Sequence, residues 1–362
     1  MNYQQGSIIE RYNLNPESPY YKTWHLTIET TTPLLFQPGD SIGILPKNRE
    51  ESIQALLEYF QLSPTQTLPH LQLSAYEWLK TKVEINRVSS RQIAAIAEHA
   101  YNVSDRKRLQ EPIEMQGYDL LHFLRTHVPN GIALSSISHT FSPLRPRLYS
   151  IASSPSWSST KIDLIIAHVT VDHASYRHFG TCSHYLIHEA PLFLPEIQLF
   201  LQSTRHFHFP THTPTPCIMI GAGTGIAPFR SFMQEIYFSA IPPRPCWLFF
   251  GGRQKNEDFY YKPFWSELVA RNILSLDLAF SRDQDSKIYV QHKLWNARDQ
   301  LWNWIMNKAK ILVCGKAHTM AKSVDECLVD IIASKKKIST HEAQCWLRQL
   351  HREKQYLRDV YS

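Results

Sequence analysis

Glycine is scarce in this chain, with 12 in 362 residues against 22 prolines. That excludes a collagen-like repeat and a glycine-rich low-complexity chain. Long apolar runs are missing as well. Stretches such as Trp247 to Phe250 and Ile162 to Val171 fall far short of the ~20 residues a membrane-spanning helix needs. The first 30 residues carry no basic-then-apolar leader pattern. A soluble, cytoplasmic chain with no membrane partner is the expectation. An excess of one charge is also lacking: 38 Lys and Arg stand against 32 Asp and Glu, a net +6, and Lys335-Lys336-Lys337 is the only basic run. No nucleic-acid partner is expected from so scattered a pattern. The mild positive balance suits a phosphate-bearing cofactor or an acidic protein.

Paired cysteines are absent too. Cys182, Cys217, Cys246, Cys314, Cys327 and Cys345 form no Cys-x-x-Cys motif. They read as reduced, mostly buried thiols, and no iron–sulfur site is expected. The 18 histidines include no His-Glu-x-x-His or similar pair. His206 and His208 can share one side of a strand, with His212 close behind, but loop and surface histidines are the plainer reading. No metal site is predicted.

What is present is a core-forming composition, 43% hydrophobic with abundant aromatics. At ~150 residues per domain the length allows two to three domains. Residues 1 to 48 read as strands and turns: alternating Trp24 to Thr30, a turn at Gln37-Pro38-Gly39-Asp40, then Ser41 to Leu45. Residues 49 to 140 read as helical, with apolar residues at helical spacing in Glu51 to Phe60, Ile93 to Ala97 and Tyr118 to Leu124. Strand character returns at Arg147 to Ser150 and Ile162 to Val171. The proline-rich Phe209 to Pro216 reads as a linker. Beyond it, strand candidates at Cys217 to Gly221, Cys246 to Phe250, Leu274 to Phe280 and Ile311 to Cys314 alternate with helices such as Ala227 to Ser239 and Met320 to Ala333. That alternation predicts a parallel sheet covered on both faces.

Four motifs carry chemistry. In Ile218 to Arg230 an apolar strand runs into Gly221, Gly223 and Gly225, followed by a helix with Pro228 in its first turn. The glycines let a backbone turn tightly and a phosphate come close, and the helix start offers free N–H groups. Thr224 sits inside this loop. The spacing is not the common Gly-x-Gly-x-x-Gly. After the strand Leu274 to Phe280, Ser281, Arg282 and Lys287 supply the donors a nucleotide 2′-phosphate needs, where NAD sites place an acid. Tyr289 can cover the adenosine. This favours NADPH over NADH. In Arg147-Leu148-Tyr149-Ser150-Ile151-Ala152-Ser153-Ser154, Arg, Tyr and Ser are expected on one strand face, to meet a flavin's pyrophosphate, its ring and its N5. Gly180-Thr181-Cys182-Ser183 opens a helix and reads as a second anion pocket.

In this order and at these separations, the motifs resemble the FAD/NADPH reductase module of the diflavin reductase family, in particular its sulfite reductase flavoprotein branch. Shared stretches also include Leu248 to Gly251, Glu257-Asp258-Phe259, Ser281 to Gln284, Val313-Cys314-Gly315, Met320-Ala321-Lys322 and the ending Arg358 to Tyr361. The resemblance implies a multidomain β plus α/β fold of the ferredoxin–NADP reductase type. An antiparallel FAD-binding barrel would be built from 1–48 and 141–210, with a helical connecting insertion at 49–140. A Rossmann-like parallel α/β NADP-binding domain would follow at 211–362.

The resemblance further implies that Arg147, Leu148, Tyr149, Ser150, the backbone of Ile165, Ile166 and Ala167, and Gly180 to Ser183 hold FAD. Tyr361 would stack on the flavin ring until nicotinamide displaces it. Thr224 with its flanking glycines, Ser281, Arg282, and Lys287, Ile288, Tyr289, Val290 and Gln291 would hold NADPH. Ser150, Cys314 and Asp359 would orient the nicotinamide and stabilise charge during hydride transfer.

Some positions depart from the family. Ile165 and Val171 replace a threonine and a tyrosine, and Ser323 and Lys316 replace acids near NADP. Ser362 follows the stacking tyrosine. No FMN-binding flavodoxin-like segment is in the sequence, so the resemblance implies a separate FMN-, haem- or cluster-containing electron acceptor, such as a flavodoxin-like protein or the haem component of sulfite reductase. A stand-alone NADPH diaphorase and a non-enzymatic flavoprotein remain the alternatives.

Overall fold

Strands that carry apolar residues without interruption need cover on both faces, and Cys217–Ala222 and Cys246–Gly252, late in this chain, are of that kind. The computed structural model describes residues 3–68, 72–109, 111, 117–173, 176–210, 213–239 and 244–361. Thr211 and His212 of the expected linker, and Ser362, lie outside these. The described strands are β1 (Gln4–Asn13), β2 (Thr23–Thr30), β3 (Ser41–Leu45), β4 (Arg147–Ser150), β5 (Lys161–Ala167), β6 (Thr170–His173), β7 (Tyr176–Phe179), β8 (Ile197–Gln202), β9 (Cys217–Ala222), β10 (Cys246–Gly252), β11 (Leu274–Phe280), β12 (Lys310–Lys316) and β13 (Tyr356–Tyr361).

The chain forms two compact units. The first draws on Met1–Gly6, Gly43–Leu148 and His168–Phe200, and the second on Ser7–Ile42, Tyr149–Ala167 and Leu201–Ser362. Between β3 and β4 the first unit carries the α-helices Glu50–Tyr59, Ala75–Thr81, Ser90–His99, Val103–Arg108, Leu120–His127 and Leu134–Ile137. Short polar side chains start several of them. Ser74, Ser89, Asn102 and Asp119 each accept a hydrogen bond from a first-turn N–H, satisfying donors that a helix start leaves free. Ile53, Leu56, Phe123, Leu124 and Ile96 are fully buried together. The strands in this unit pair antiparallel where β1 meets β8, at Gln4 with Leu199 and Gly6 with Ile197, and in the hairpin of β6 and β7.

In the second unit β2 pairs antiparallel with β5, from Thr23 with Ala167 to Glu29 with Lys161. The expected in–out alternation along β2 is not seen, because six of its eight residues are buried. The expected turn before β3 is present: the Asp40 N–H donates to Gln37 O at 3.0 Å.

The rest of this unit is a five-stranded sheet in the order β11-β10-β9-β12-β13, and every pairing is parallel. Among the described residues no helix is long and apolar enough to cross a membrane. The first strand of the sheet lies at its centre, and the chain then grows outward to one side and afterwards to the other. The reversal falls between β9 and β12. In open parallel sheets ligands bind at the carboxyl ends of the strands flanking such a reversal.

Two glycines fit that position. Gly225, in the short turn Gly223–Ile226 after β9, has no room for a side chain: a Cβ there would stand 2.2 Å from the Cys314 carbonyl oxygen. Gly225→Ala must push two backbones apart. We expect a loss of about 1–3 kcal/mol, read as a lower melting temperature, and an unchanged melt would contradict this packing. Gly223 is the opposite case. It holds φ +56 in open space, with nothing within 4 Å of a built Cβ.

The helix Ala227–Phe238 carries Pro228 in its first turn and no side-chain cap. Arg230 Nη1 donates to Asp163 Oδ2 and to Ala152 O, both at 2.7 Å. Ser231 Oγ donates to Ser153 O at 2.6 Å, and Ser154 N donates to Gln234 Oε1 at 3.1 Å. These bonds fasten the segment that follows β4 to the helix that follows the glycine loop.

Candidate active site

The carboxyl ends of β9, β12 and β13 collect polar groups in the second unit. Parallel pairing sets Cys314 on β12 beside Asp359 on β13. Ser150 Oγ donates to Asp359 Oδ2 at 3.1 Å, and Cys314 Sγ lies 4.0 Å from the same oxygen. Two residues far apart in sequence, Ser150 and Cys314, therefore address one carboxylate oxygen of a third, Asp359. Burial pushes the Asp359 carboxyl above its ordinary pKa, and the Ser150 hydrogen bond opposes that rise. Burial, and next the charge of Asp359, push the Cys314 thiol well up, so it stays a neutral S–H at pH 7. Cys314 is 2% exposed. The group can hold a proton and present a fixed charge, and a thiol so buried is a poor nucleophile.

Two residues further along β13, the Tyr361 hydroxyl is hydrogen-bonded to Thr224 Oγ1 at 2.8 Å. Thr224 belongs to the glycine turn, so that turn and the last strand are tied together. Gly221 ends the buried part of β9, where a Cβ would meet the Phe229 ring at 2.8 Å.

The neighbouring strands β10 and β11 end in two turns carrying cations. Ser281 is buried, its N–H donating to Gly252 O at 3.1 Å, and Arg282 N donates to Arg253 O at 2.7 Å. The Arg282 guanidinium lies 3.7 Å from the ring centre of Tyr20. Arg253 stands 5.2 Å from the same ring and 4.6 Å from Tyr21. Asp258 Oδ2 accepts from the N–H groups of Arg253 and Gln254 at 2.7 and 2.9 Å and shapes this turn. Arg253 was not among the residues picked out from sequence. The signal was there, a cation directly after the strand's Gly251-Gly252. Lys287 and Tyr289 are exposed, and Tyr289 precedes the helix Val290–Asn296. Val290 is buried in the hydrophobic core with Ile218 and Ile220, which leaves only its backbone to face a ligand. Ile288 is part-buried against that core, and Gln291 O accepts from Cys327 Sγ at 3.2 Å.

The strand β4 departs from expectation. Side chains alternate along a strand, so Arg147 and Tyr149 share one face while Ser150 falls on the other with Leu148. Leu148 is 57% exposed. Ile165 and Ile166 are buried, and Ala167 is partly exposed at the end of β5.

The remaining candidates lie in the first unit. Arg147 Nη2 pairs with the buried Glu84 at 3.0 Å. Gly180 precedes the helix Thr181–His184, whose start carries no side-chain cap. Asn86 Nδ2 donates to Phe179 O and Thr181 Oγ1, both at 2.7 Å. Ser183 Oγ is engaged locally, accepting from Val169 N at 3.2 Å and donating to Gly180 O at 3.1 Å. Cys182 is buried. The uncapped helix start and the open space at Gly223 are both what a pyrophosphate requires. His206 and His208 fall in an irregular segment after β8 rather than on a strand, and His212 lies outside the described residues.

Comparison with known proteins bears on these features. The family described as FAD binding domain matches residues 3–185, and the family described as oxidoreductase NAD-binding domain matches residues 219–326. The chain is similar to proteins named sulfite reductase [NADPH] flavoprotein alpha-component. The one from Vibrio parahaemolyticus is 35% identical over 341 residues, covering 91% of this chain and 53% of that protein. The one from Bacillus subtilis is 30% identical, covering 99% of this chain and 61% of the relative. For the Escherichia coli protein identity is 34%, with 91% and 55% covered. The chain thus spans between half and two thirds of the length of these relatives.

Proposed function

This chain belongs to the FAD binding domain family, and from that premise we propose that it is an NADPH-dependent flavoprotein oxidoreductase. It takes hydride from NADPH onto FAD and passes the electrons to a separate acceptor. The observation that carries the reading is the convergence of Ser150 and Cys314 on one carboxylate oxygen of Asp359, two residues before Tyr361 and its partner Thr224.

FAD, when bound, supplies the acceptor for the hydride. The protein's own groups hold and orient. Arg147, Tyr149, Ser150, the backbone of residues 165–167 and the start of the helix at Gly180 would hold the flavin, with Tyr361 against its ring. The glycine turn and the free N–H groups of the helix behind it would take the pyrophosphate of NADPH. Ser281 and Arg282 would take the 2′-phosphate, with Lys287 to Gln291 along the adenosine. Asp359, fixed by Ser150, supplies negative charge where the nicotinamide becomes cationic, and the Cys314 thiol keeps that side of the site dry. In this reading the antiparallel strands form an FAD-binding barrel (1–48 and 141–210), residues 49–140 are a connecting insertion, and 211–362 is the NADP-binding domain of a cytoplasmic enzyme.

A separate acceptor is supported by the relatives' name, an alpha-component of sulfite reductase. The acceptor is then a haem-containing component or a flavodoxin-like protein. The test is turnover of the FAD-loaded protein with NADPH and, in turn, free flavin, quinone, a flavodoxin and the haem component of sulfite reductase. Fast reduction of a protein acceptor supports the proposal. Turnover with free flavin or quinone alone would make the chain a stand-alone diaphorase.

Two smaller effects follow. Cation–π contacts at exposed sites are worth roughly 0.5–1 kcal/mol, so Tyr20→Ala, which frees Arg282, should raise the KM for NADPH about 2–5-fold and leave kcat alone. An equal change in KM for NADH would contradict a phosphate-positioning role. Ring stacking contributes about 0.5–1.5 kcal/mol. Tyr361→Ala should therefore let NADH compete about 2–10-fold better, and an unchanged NADPH/NADH ratio would count against Tyr361 as the ring's cover.

A further inference from the structure

Three histidines meet in the first unit, on residues that the flavin reading does not use. His168 follows β5, and His184 and His188 sit four residues apart on one helix. That helix begins as Thr181–His184 and widens into a π-turn over Tyr185–Glu189, a deviation that often marks functional positions. Each histidine offers a ring nitrogen, and the three nitrogens lie within 4.8 Å of one another. Among the described residues no other three His, Cys, Asp or Glu side chains converge in this way.

The cluster is built rather than incidental. His168 Nε2 and His184 Nδ1 are both shielded from solvent and have no hydrogen-bond partner. A buried polar atom left unsatisfied is costly, and each of these two rings carries one. Phe179 stacks on His168 at 5.3 Å and on His184 at 4.9 Å, which fixes the planes of both rings. Glu189 Oε1 lies 3.8 Å from His184 Nε2.

We propose that His168, His184 and His188 form a binding site for one divalent first-row transition ion, with zinc the best fit and with water completing the shell. Imidazole donors select zinc, copper and nickel over calcium and magnesium. At Zn–N distances of about 2.0–2.1 Å, tetrahedral donors stand about 3.3 Å apart. Closing from the observed spread takes a shift of the order of 1.5 Å, which the exposed His188 can make by rotating. The site lies directly after Gly180–Ser183, so an ion there would brace the helix start offered to the flavin pyrophosphate.

The test uses the full chain, FAD-loaded and freed of metal by a chelator. Zinc is titrated against a chromophoric competitor, and copper(II) is added in its place for electron paramagnetic resonance. The expected result is one equivalent of tightly bound zinc and a copper signal with coupling to several nitrogens. His184→Ala should weaken zinc binding at least 10-fold. His188→Asn, at an exposed position, should do the same, with its melting curve in the absence of metal close to that of the parent. His206→Ala should change nothing. Equal zinc stoichiometry and affinity in the parent, His184→Ala and His188→Asn would overturn the proposal, as would the absence of binding to the parent.

Discussion

Replacing Asp359 by alanine should slow flavin reduction by NADPH on the order of 10²-fold, the scale seen when one preorganised electrostatic group is removed from a reacting site. Asp359 is the hub of its group: Ser150 donates to its Oδ2, and the Cys314 sulfur approaches the same atom. Ser150→Ala should cost less, since the carboxylate stays. The double variant should be little worse than Asp359→Ala, because groups that act through one atom are not additive. Stopped-flow reduction with saturating NADPH separates this from a binding effect. A full loss in KM, with the reduction rate unchanged, would contradict the role given to Asp359.

The same residue has a pH signature. Its carboxyl is raised above the usual carboxylate range, first by burial. Between the ordinary value and the raised one, the folded state binds more protons than the unfolded state. Stability from this group is therefore present at low pH and is lost as pH rises through that window. Asp359→Asn removes the ionisation and keeps an acceptor for Ser150. The melting temperature of the variant relative to the parent should then increase between pH 4 and pH 7.5.

Arg282→Ala should raise the KM for NADPH about 10–150-fold while changing that for NADH by little. A charge-assisted phosphate contact is worth roughly 1.5–3 kcal/mol. Arg253 shares the Tyr20 ring with Arg282, so it is placed to take over part of the lost contact. The effect should sit at the low end of that range in the single variant and grow when Arg253 is also replaced. Parallel losses for both nucleotides would remove the 2′-phosphate from this turn.

Much of the second unit was legible in the sequence because its signals are local. Cys217 to Gly221 is an apolar run ended by glycines, and the structure continues it by one residue. The strand Leu274–Phe280 matches its expected bounds. The last strand was not legible as a strand. Tyr356–Tyr361 carries Arg358 and Asp359 in its middle, and polar residues break the apolar pattern where the chemistry sits. The helix Thr340–Arg352 was hidden by its polar composition, although its Ser339–Glu342 capping box was readable.

Ser150 was put on the wrong face of its strand by counting it with Arg147 and Tyr149, when a period of two excludes it. Its use of Asp359, 209 residues away, depends on long-range pairing that no local pattern reports. The same holds for the division into two units. The chain leaves and re-enters each of them, because β2 pairs with β5 across more than a hundred residues of intervening sequence. The sequence expectation of no metal-spaced histidine pair is corrected here: His184 and His188 stand at i and i+4, the spacing of a His-x-x-x-His pair. The third member is not readable locally, because it comes from beyond a separate hairpin.

The central claim is that this chain carries FAD and reduces it with NADPH. The most direct measurement is the visible spectrum of the purified protein under anaerobic conditions, before and after one equivalent of NADPH. The account predicts an oxidised flavin spectrum that bleaches quickly with NADPH and slowly with NADH. A flavin that stays yellow, or a chain that takes up no FAD on reconstitution, would contradict it.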